Sequence, residues 1–227
     1  MNAFPDAAAK IYDDNIVRLV PGYALALELM AAILAVQLSG PCRILVPGCG
    51  TGAEILAIAN SLPEASFVAV EPSAGMLDLA RQRIAAAGLS ERVEFVSGYL
   101  DDVGERGRFD AATVSLVLHF LPDDGAKQAF LSGVAQRLAA NAPLLLLDAP
   151  SVAFDESALR QWLLTQHGPG VPPPDAVIKR MQTLWHRATP ERIAELLART
   201  GFAEQATFFQ TLGYVGTSAR MRLRSVD

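Results

Sequence analysis

The sequence predicts a doubly wound α/β fold: a mostly parallel seven-stranded sheet with an antiparallel last strand and a helical insertion before the last two strands. Three observations predict it. From Cys42 to Asp148, apolar runs of strand length alternate with segments of helical spacing, which implies parallel strands joined by right-handed crossovers. The first run, Ile44-Leu45-Val46, stops at Gly48-Cys49-Gly50-Thr51-Gly52 and gives way to helical spacing, the pattern of strand, tight turn and helix. At the far end, Gly201-Phe202 leads into two alternating segments, near 203–209 and 214–223, suited to an antiparallel hairpin at a sheet edge.

Each element follows in order. Residues 1–40 read as an arm and a helix. Residues 1–22 mix Tyr12, Asp13, Asp14, Arg18, Pro21 and Gly22 with apolar residues, and read either as a lid or as a surface arm packing its aromatics. Tyr23 to Leu38 is interrupted by Glu28 and Gln37 and is too short to span a bilayer comfortably. It reads as a buried helix whose apolar residues go nearly all the way round, so both faces should be covered by sheet, insertion or a second subunit. Then come strand 42–46, helix 53–60, strand 66–70, helix 73–87, strands 93–97 and 110–115, helix 123–140 and strand 144–148. Residues 150–190 break the alternation with helical pieces around 154–167 and through Lys179, Arg180 and Trp185, separated by the proline-rich turn 168–174. An insertion between late strands forms a cap over a site. Thr189-Pro190 starts the last helix with an N-cap threonine and proline at N1, and Gly201 ends it.

The 227 residues suit one α/β domain spanning 1–227. Net charge is −5 and the basic residues are scattered except near Arg220, Arg222 and Arg224, so nucleic acid is a poor candidate partner. Cys42 and Cys49 form neither a disulfide framework nor a metal-ligand spacing, which points to a reducing cytoplasm and no metal. No basic leader or cleavage site precedes the apolar helix, so no membrane association is expected.

In a parallel sheet, ligand residues come from loops at the carboxyl ends of strands, here 47–53, 71–76, 98–102 and 115–120. Glycines at 48, 50 and 52 let a ligand approach the backbone, and the helix behind them presents unpaired N–H groups. Glu71, at the tip of the second strand, is placed to accept hydrogen bonds from two ribose hydroxyls. Together they predict an adenosine-containing ligand.

With these motifs the chain resembles the class I, Rossmann-like S-adenosylmethionine (SAM)-dependent methyltransferases. The resemblance is carried by Gly48-Cys49-Gly50-Thr51-Gly52, by Val70-Glu71-Pro72-Ser73-Ala74-Gly75-Met76-Leu77, by Phe109 to Ser115 running into Leu118-His119-Phe120-Leu121, and by Gly201-Phe202. It implies that the glycine loop, Cys49 and Thr51 included, cradles SAM, or its product S-adenosylhomocysteine. Gly48 and Gly50 approach the methionine and ribose, Glu71 binds the ribose hydroxyls, Met76 packs by the adenine, and Ser115 lies near the methionine portion, with Pro72 also among the cofactor-binding residues. Where many relatives have Gly-Asp, this chain reads Ser97-Gly98-Tyr99-Leu100-Asp101-Asp102. Tyr99 takes the place of that aspartate, and either Asp101 or a backbone carbonyl substitutes for it, or the adenine is held mainly by stacking and by the Leu100 amide. A weaker resemblance, to the carboxy-SAM synthases, rests on Val20-Pro21-Gly22-Tyr23, Leu118-His119-Phe120-Leu121-Pro122, Lys179-Arg180 and Phe208-Phe209-Gln210. It implies that Arg180 approaches the cofactor carboxylate of a neighbouring subunit; the alternative for Arg180 is a solvated helix residue.

Methyl transfer from a sulfonium is an in-line displacement that needs proximity and alignment above all. The expected activity is methyl transfer to a small-molecule acceptor. A general base is optional, and His119 is the positional candidate, against a packing role. His167 beside Gly168 reads as a helix cap, and Cys49 as a small residue the loop can hold. Tyr12, Tyr23, Trp162 and Trp185 either wall an acceptor pocket or pack the core. The rival enzyme classes are a carboxy-SAM-type enzyme and an NAD-dependent oxidoreductase, the latter because the glycine loop also fits the loose dinucleotide pattern. A homodimer is expected as a possibility from the all-round apolar helix.

Overall fold

The structure is a computed structural model and describes residues 12–166 and 171–223. Two helices lead in: α1 (Tyr12–Leu19) and α2 (Tyr23–Gln37). Between them Val20-Pro21-Gly22 turns the chain by 91°, with Gly22 at φ +77° where a side chain would press on the Phe209 ring. The alternating part follows as β1 (Cys42–Pro47), α3 (Ala53–Ser61), β2 (Ala65–Glu71), α4 (Ala74–Ala86), β3 (Val93–Ser97), β4 (Ala111–Ser115), α5 (Ala126–Arg137) and β5 (Pro143–Asp148). The insertion holds α6 (Glu156–Thr165) and α7 (Pro174–Thr183); α8 (Pro190–Arg199), β6 (Phe202–Thr211) and β7 (Tyr214–Met221) complete the chain.

The seven strands lie in the order β3-β2-β1-β4-β5-β7-β6. The first five are parallel, whereas β7 pairs antiparallel with both β5 and β6. The expected doubly wound sheet is borne out, and the antiparallel β7 removes the main structural argument for the oxidoreductase alternative. Strand order reverses between β1 and β4, so a crevice opens at their carboxyl ends, where ligands of such sheets bind.

Alternation along the strands explains the two layers. Ile44 and Val46 of β1 and Phe67 and Ala69 of β2 point into the core shared with α2, α3 and the insertion. Leu45, Val68 and Val70 point the other way, against Leu131 and Val134 of α5 and Leu196 and Leu197 of α8. A one-residue register slip would exchange the two sets, and with both faces buried neither alternative packing is free.

Several boundaries move for physical reasons. The helix expected at 123–140 begins only at Ala126, because Asp123-Asp124-Gly125 forms a turn, with Gly125 at φ +112° just before the first helical residue. Ser73, expected inside a helix, caps α4 by accepting the Met76 N–H at 3.3 Å. The Thr189 cap is as expected, with its hydroxyl accepting the Arg192 N–H at 3.2 Å. The expectation for α2 needs correction within one chain. Tyr23, Ala26, Leu27, Met30, Ala31 and Leu34 are buried at helical spacing, while Leu25 and Val36 on the other side are 52% and 87% exposed. Nothing in this chain covers that second face among the described residues. No single described helix is long and apolar enough to cross a membrane.

Candidate functional site

The glycine loop is built by three left-handed residues, Gly48 (φ +75°), Gly50 (+53°) and Gly52 (+81°). Its entry is tied to the neighbouring strand, with the N–H groups of Gly48 and Cys49 both donating to the Val70 carbonyl at 2.7 and 3.0 Å. The three glycines differ in their surroundings. A Cβ on Gly48 would stand 2.4 Å from Val117 Cγ2, whereas one on Gly50 would meet nothing within 4 Å. Gly48 is therefore required by packing, and Gly50 faces open space. Val117 reaches the loop because Leu116, at φ +57°, bends the chain sharply after β4, a conformation uncommon for a non-glycine residue.

Glu71 ends β2 beside this loop and is 6% exposed. One carboxylate oxygen accepts the Gly50 N–H at 3.0 Å and the other the Ser73 N–H at 2.9 Å. Burial raises its pKa and these two amides oppose the rise. The carboxylate is thus held in one orientation at the tip of β2, next to the open side of Gly50.

A narrow pocket lies over the loop, lined by Tyr12, Tyr23, Gly48, Cys49, Gly50, Thr51, Ala53, Glu54 and Ser115. Tyr12, Tyr23 and Ser115, singled out from sequence, thus meet the glycine loop here, and Thr51 joins the arm to it. The Thr51 hydroxyl donates to Asp13 of α1, and Arg83 of α4 bridges Asp13 at 2.8 Å and the Thr51 hydroxyl at 2.9 Å. The lid reading of the arm has this geometric support: α1 is pinned across the glycine loop. The cap reaches the arm as well, since the Trp162 indole N–H donates to the Arg18 carbonyl at 2.9 Å. Burial pushes the phenols of Tyr12 and Tyr23 and the Cys49 thiol above their ordinary values, so all three are neutral near pH 7. That state fits the non-redox reading of Cys49.

Glu54, in the first turn of α3, is the residue that sequence reasoning missed. It is 3% exposed, and it accepts hydrogen bonds from the hydroxyls of Thr113, at 3.1 Å, and Ser115. Desolvation pushes its pKa up to about 7, against the two hydroxyls that lower it. The only signal in the sequence was an acidic residue among the apolar positions of α3.

Other expected site residues lie elsewhere. Pro72 is half-buried, and Met76 is buried on α4 just beyond Ser73. Leu100 turns into the lower core, where Gly133 leaves room for it, so its side chain offers no adenine-stacking face. Tyr99 is 44% exposed. Asp102 is engaged by the Tyr99 N–H at 2.8 Å, whereas Asp101 is exposed. His119 is buried at the start of the next loop, its Nδ1 against Asp148 at the end of β5, and its ring lies 4.2 Å from those of Phe120 and Trp185. It does not line the pocket at the glycine loop, and this favours the packing role. Arg180 is exposed on α7 and Trp185 is half-buried beside His119. His167 and its proposed cap lie outside the described residues. A larger cavity, about 210 Å³, sits instead between α8 and the β6–β7 hairpin and holds none of the glycine-loop residues.

Comparison with known proteins agrees with this geometry. Residues 44–141 match the family described as "methyltransferase domain". A carboxy-S-adenosyl-L-methionine synthase of Campylobacter hominis is 28% identical over 156 residues, 69% of this chain and 64% of that protein. The chain therefore spans just under two thirds of that relative's length. Among solved structures, the CurJ carbon methyltransferase superposes with a TM-score of 0.68 at 16% identity, over 97% of this chain and 60% of that one. Magnesium protoporphyrin IX methyltransferase of Synechocystis, solved with bound S-adenosylhomocysteine, gives 0.64 at 19% identity, over 88% and 84%. The fold expected from the resemblance to class I SAM-dependent methyltransferases is borne out, and the family match lies within residues 44–141.

Proposed function

With a methyltransferase domain at its centre, we propose that this protein binds SAM and transfers its methyl group to a small-molecule acceptor by in-line displacement, releasing S-adenosylhomocysteine. The observation that carries the reading is the approach of Glu71, at the tip of β2, to Gly50, in the loop after β1, at 3.0 Å and beside the β1–β4 crevice. A ribose seated against the open side of Gly50 would meet the Glu71 carboxylate, and the adenine would extend toward Met76 and the Tyr99-Leu100 loop. The methionine portion then runs along Gly48 to Ser115. SAM supplies an already activated methyl group; the chain's own residues bind, align and exclude water.

The acceptor side falls to the arm and the cap. Tyr12 and Tyr23 line the pocket, and Trp162 couples the cap to α1. His119, held by Asp148 and covered by Trp185, packs the cap against the end of β5. The exposed apolar face of α2, with Leu25 and Val36, supports a homodimer, and cysteines held as free, buried thiols fit a reducing cytoplasm.

A second reading, formation or use of a carboxylated SAM, is favoured by the Campylobacter relative and by an Arg180 that is exposed and so within reach of a neighbouring subunit. Mass spectrometry of the small molecule released on denaturing freshly purified protein tests both readings. SAM or S-adenosylhomocysteine supports the first and a mass higher by one carboxyl group the second. A nicotinamide nucleotide would overturn both.

A further inference from the structure

Glu54 is a buried carboxylate with no cation of its own. Among the described residues no Lys, Arg or His side chain pairs with it, and both its hydrogen bonds come from neutral hydroxyls. A charge in such a place is costly unless a partner arrives. Its wall of the pocket is also the one where the methionine portion of the ligand would run, because Glu54 and Ser115 lie together on the far side of Gly48 and Cys49 from Glu71. That portion carries an ammonium group. We propose that Glu54 receives this ammonium and that its protonated form exchanges a proton for it: below neutral pH the acid in the empty pocket gives its proton to solvent on binding, and the carboxylate then pairs with the ligand's charge. The inference rests on the SAM reading above.

The surrounding groups leave the exchange to Glu54. Tyr12 of α1, Tyr23 of α2 and Cys49 of the loop all have raised pKa values, and burial keeps each neutral through pH 8. Met30 of α2 and Thr113 and Ser115 of β4 do not titrate. Glu71 also has a raised pKa, but it is anchored by two amides, and it faces the ribose rather than the amino acid. The Asp13–Arg83 pair lies at the lip of the pocket, each member about one third exposed, and it is already mutually neutralised. Because Glu54 titrates near 7, affinity for an ammonium-bearing ligand should fall about tenfold for each pH unit below that point and level off above it.

The test is isothermal titration of S-adenosylhomocysteine in phosphate and in Bis-Tris from about pH 6 to 7.5, with 5′-methylthioadenosine, which lacks the amino acid portion, as the comparison ligand. The difference between buffers gives the protons released. Wild-type protein should release up to one proton with S-adenosylhomocysteine below pH 7 and none with methylthioadenosine. Glu54→Gln should abolish the release and weaken S-adenosylhomocysteine on the order of 10- to 100-fold, leaving methylthioadenosine within about twofold. Equal proton release for both ligands, or none for either, overturns the proposal in the wild-type protein alone, whatever the variant does. Glu71→Gln distinguishes the role of Glu54 from the SAM reading beneath it, since it should weaken both ligands. Should wild-type protein bind neither ligand, the SAM reading itself falls and the role of Glu54 with it.

Discussion

Replacing Glu54 by Gln should make the empty protein more stable in alkaline buffer. The carboxyl is pushed from an ordinary value of 4.5 to about 7 by burial. Between these two values the folded chain holds a proton that the unfolded chain has released, so stability is greatest below about 4.5 and falls as pH rises through 7. A displacement of that size corresponds to an overall loss on the order of 3 kcal/mol, of which about 2–3 kcal/mol falls between pH 5 and pH 8. A glutamine side chain at this position would be isosteric and able to bond the Thr113 and Ser115 hydroxyls, yet it does not ionise, so the variant lacks this slope. The assay is urea denaturation of both proteins at a series of pH values without ligand, and the quantity is the difference between their unfolding free energies. That difference should grow by about 2–3 kcal/mol in favour of Glu54→Gln from pH 5 to 8; at roughly 2–4 °C per kcal/mol for a chain this long, melting points should separate by about 5–10 °C. Parallel pH profiles for the two proteins would refute the reasoning, because they would mean that Glu54 ionises normally.

The glycine loop yields a contrast between neighbours. Gly48→Ala should cost about 2–4 kcal/mol in denaturation through its left-handed backbone and the clash with Val117, partly recovered by adding Val117→Ala, whereas Gly50→Ala, which has no clash, should cost only the roughly 1–2 kcal/mol of its left-handed backbone and lose cofactor affinity by titration. Asp13→Asn, which breaks a pair about one third exposed, should cost at most about 1 kcal/mol in stability but raise hydrogen exchange and proteolysis in α1. Asp148→Ala removes an acceptor shared by His119 and the Ala149 N–H at 2.8 Å, and should destabilise by about 1–3 kcal/mol. His119→Gln should lower stability more than it lowers turnover, measured by methyl transfer once an acceptor is known; a large loss of turnover in a fully stable variant would restore the general-base reading.

The sheet was legible because its signals are local. Each strand is a short apolar run, each crossover has helical spacing, and Gly201-Phe202 stands where the chain turns into the β6–β7 hairpin. That the glycine loop and Glu71 lie at neighbouring strand tips was legible too; their direct hydrogen bond, Gly50 N–H to Glu71 at 3.0 Å, was not. What was not legible depends on contacts distant in sequence. Glu54 reads as an ordinary first-turn acid, stabilising at a helix N-terminus, until β4 brings Thr113 and Ser115 against it. The arm reads as mixed sequence because α1 is held by Asp13, Thr51 and Arg83, residues up to 70 positions apart. That the Leu100 side chain enters the core was not legible either, because it depends on the 3-10 turn over Leu100–Val103 and on the room that Gly133 leaves. The composition of α2 is apolar on every side, so periodicity alone did not reveal which face the sheet takes.

The glycine loop and Glu71 are central here, as the groups that would hold the adenosine of SAM. Equilibrium titration of wild-type and Glu71→Ala protein with S-adenosylhomocysteine and, separately, with NADH tests that role most directly. The expected result is saturable binding of S-adenosylhomocysteine to the wild type, a loss of about tenfold or more in the variant, and no binding of NADH to either. Binding of NADH without S-adenosylhomocysteine, or an affinity for S-adenosylhomocysteine that Glu71→Ala leaves unchanged, would contradict it.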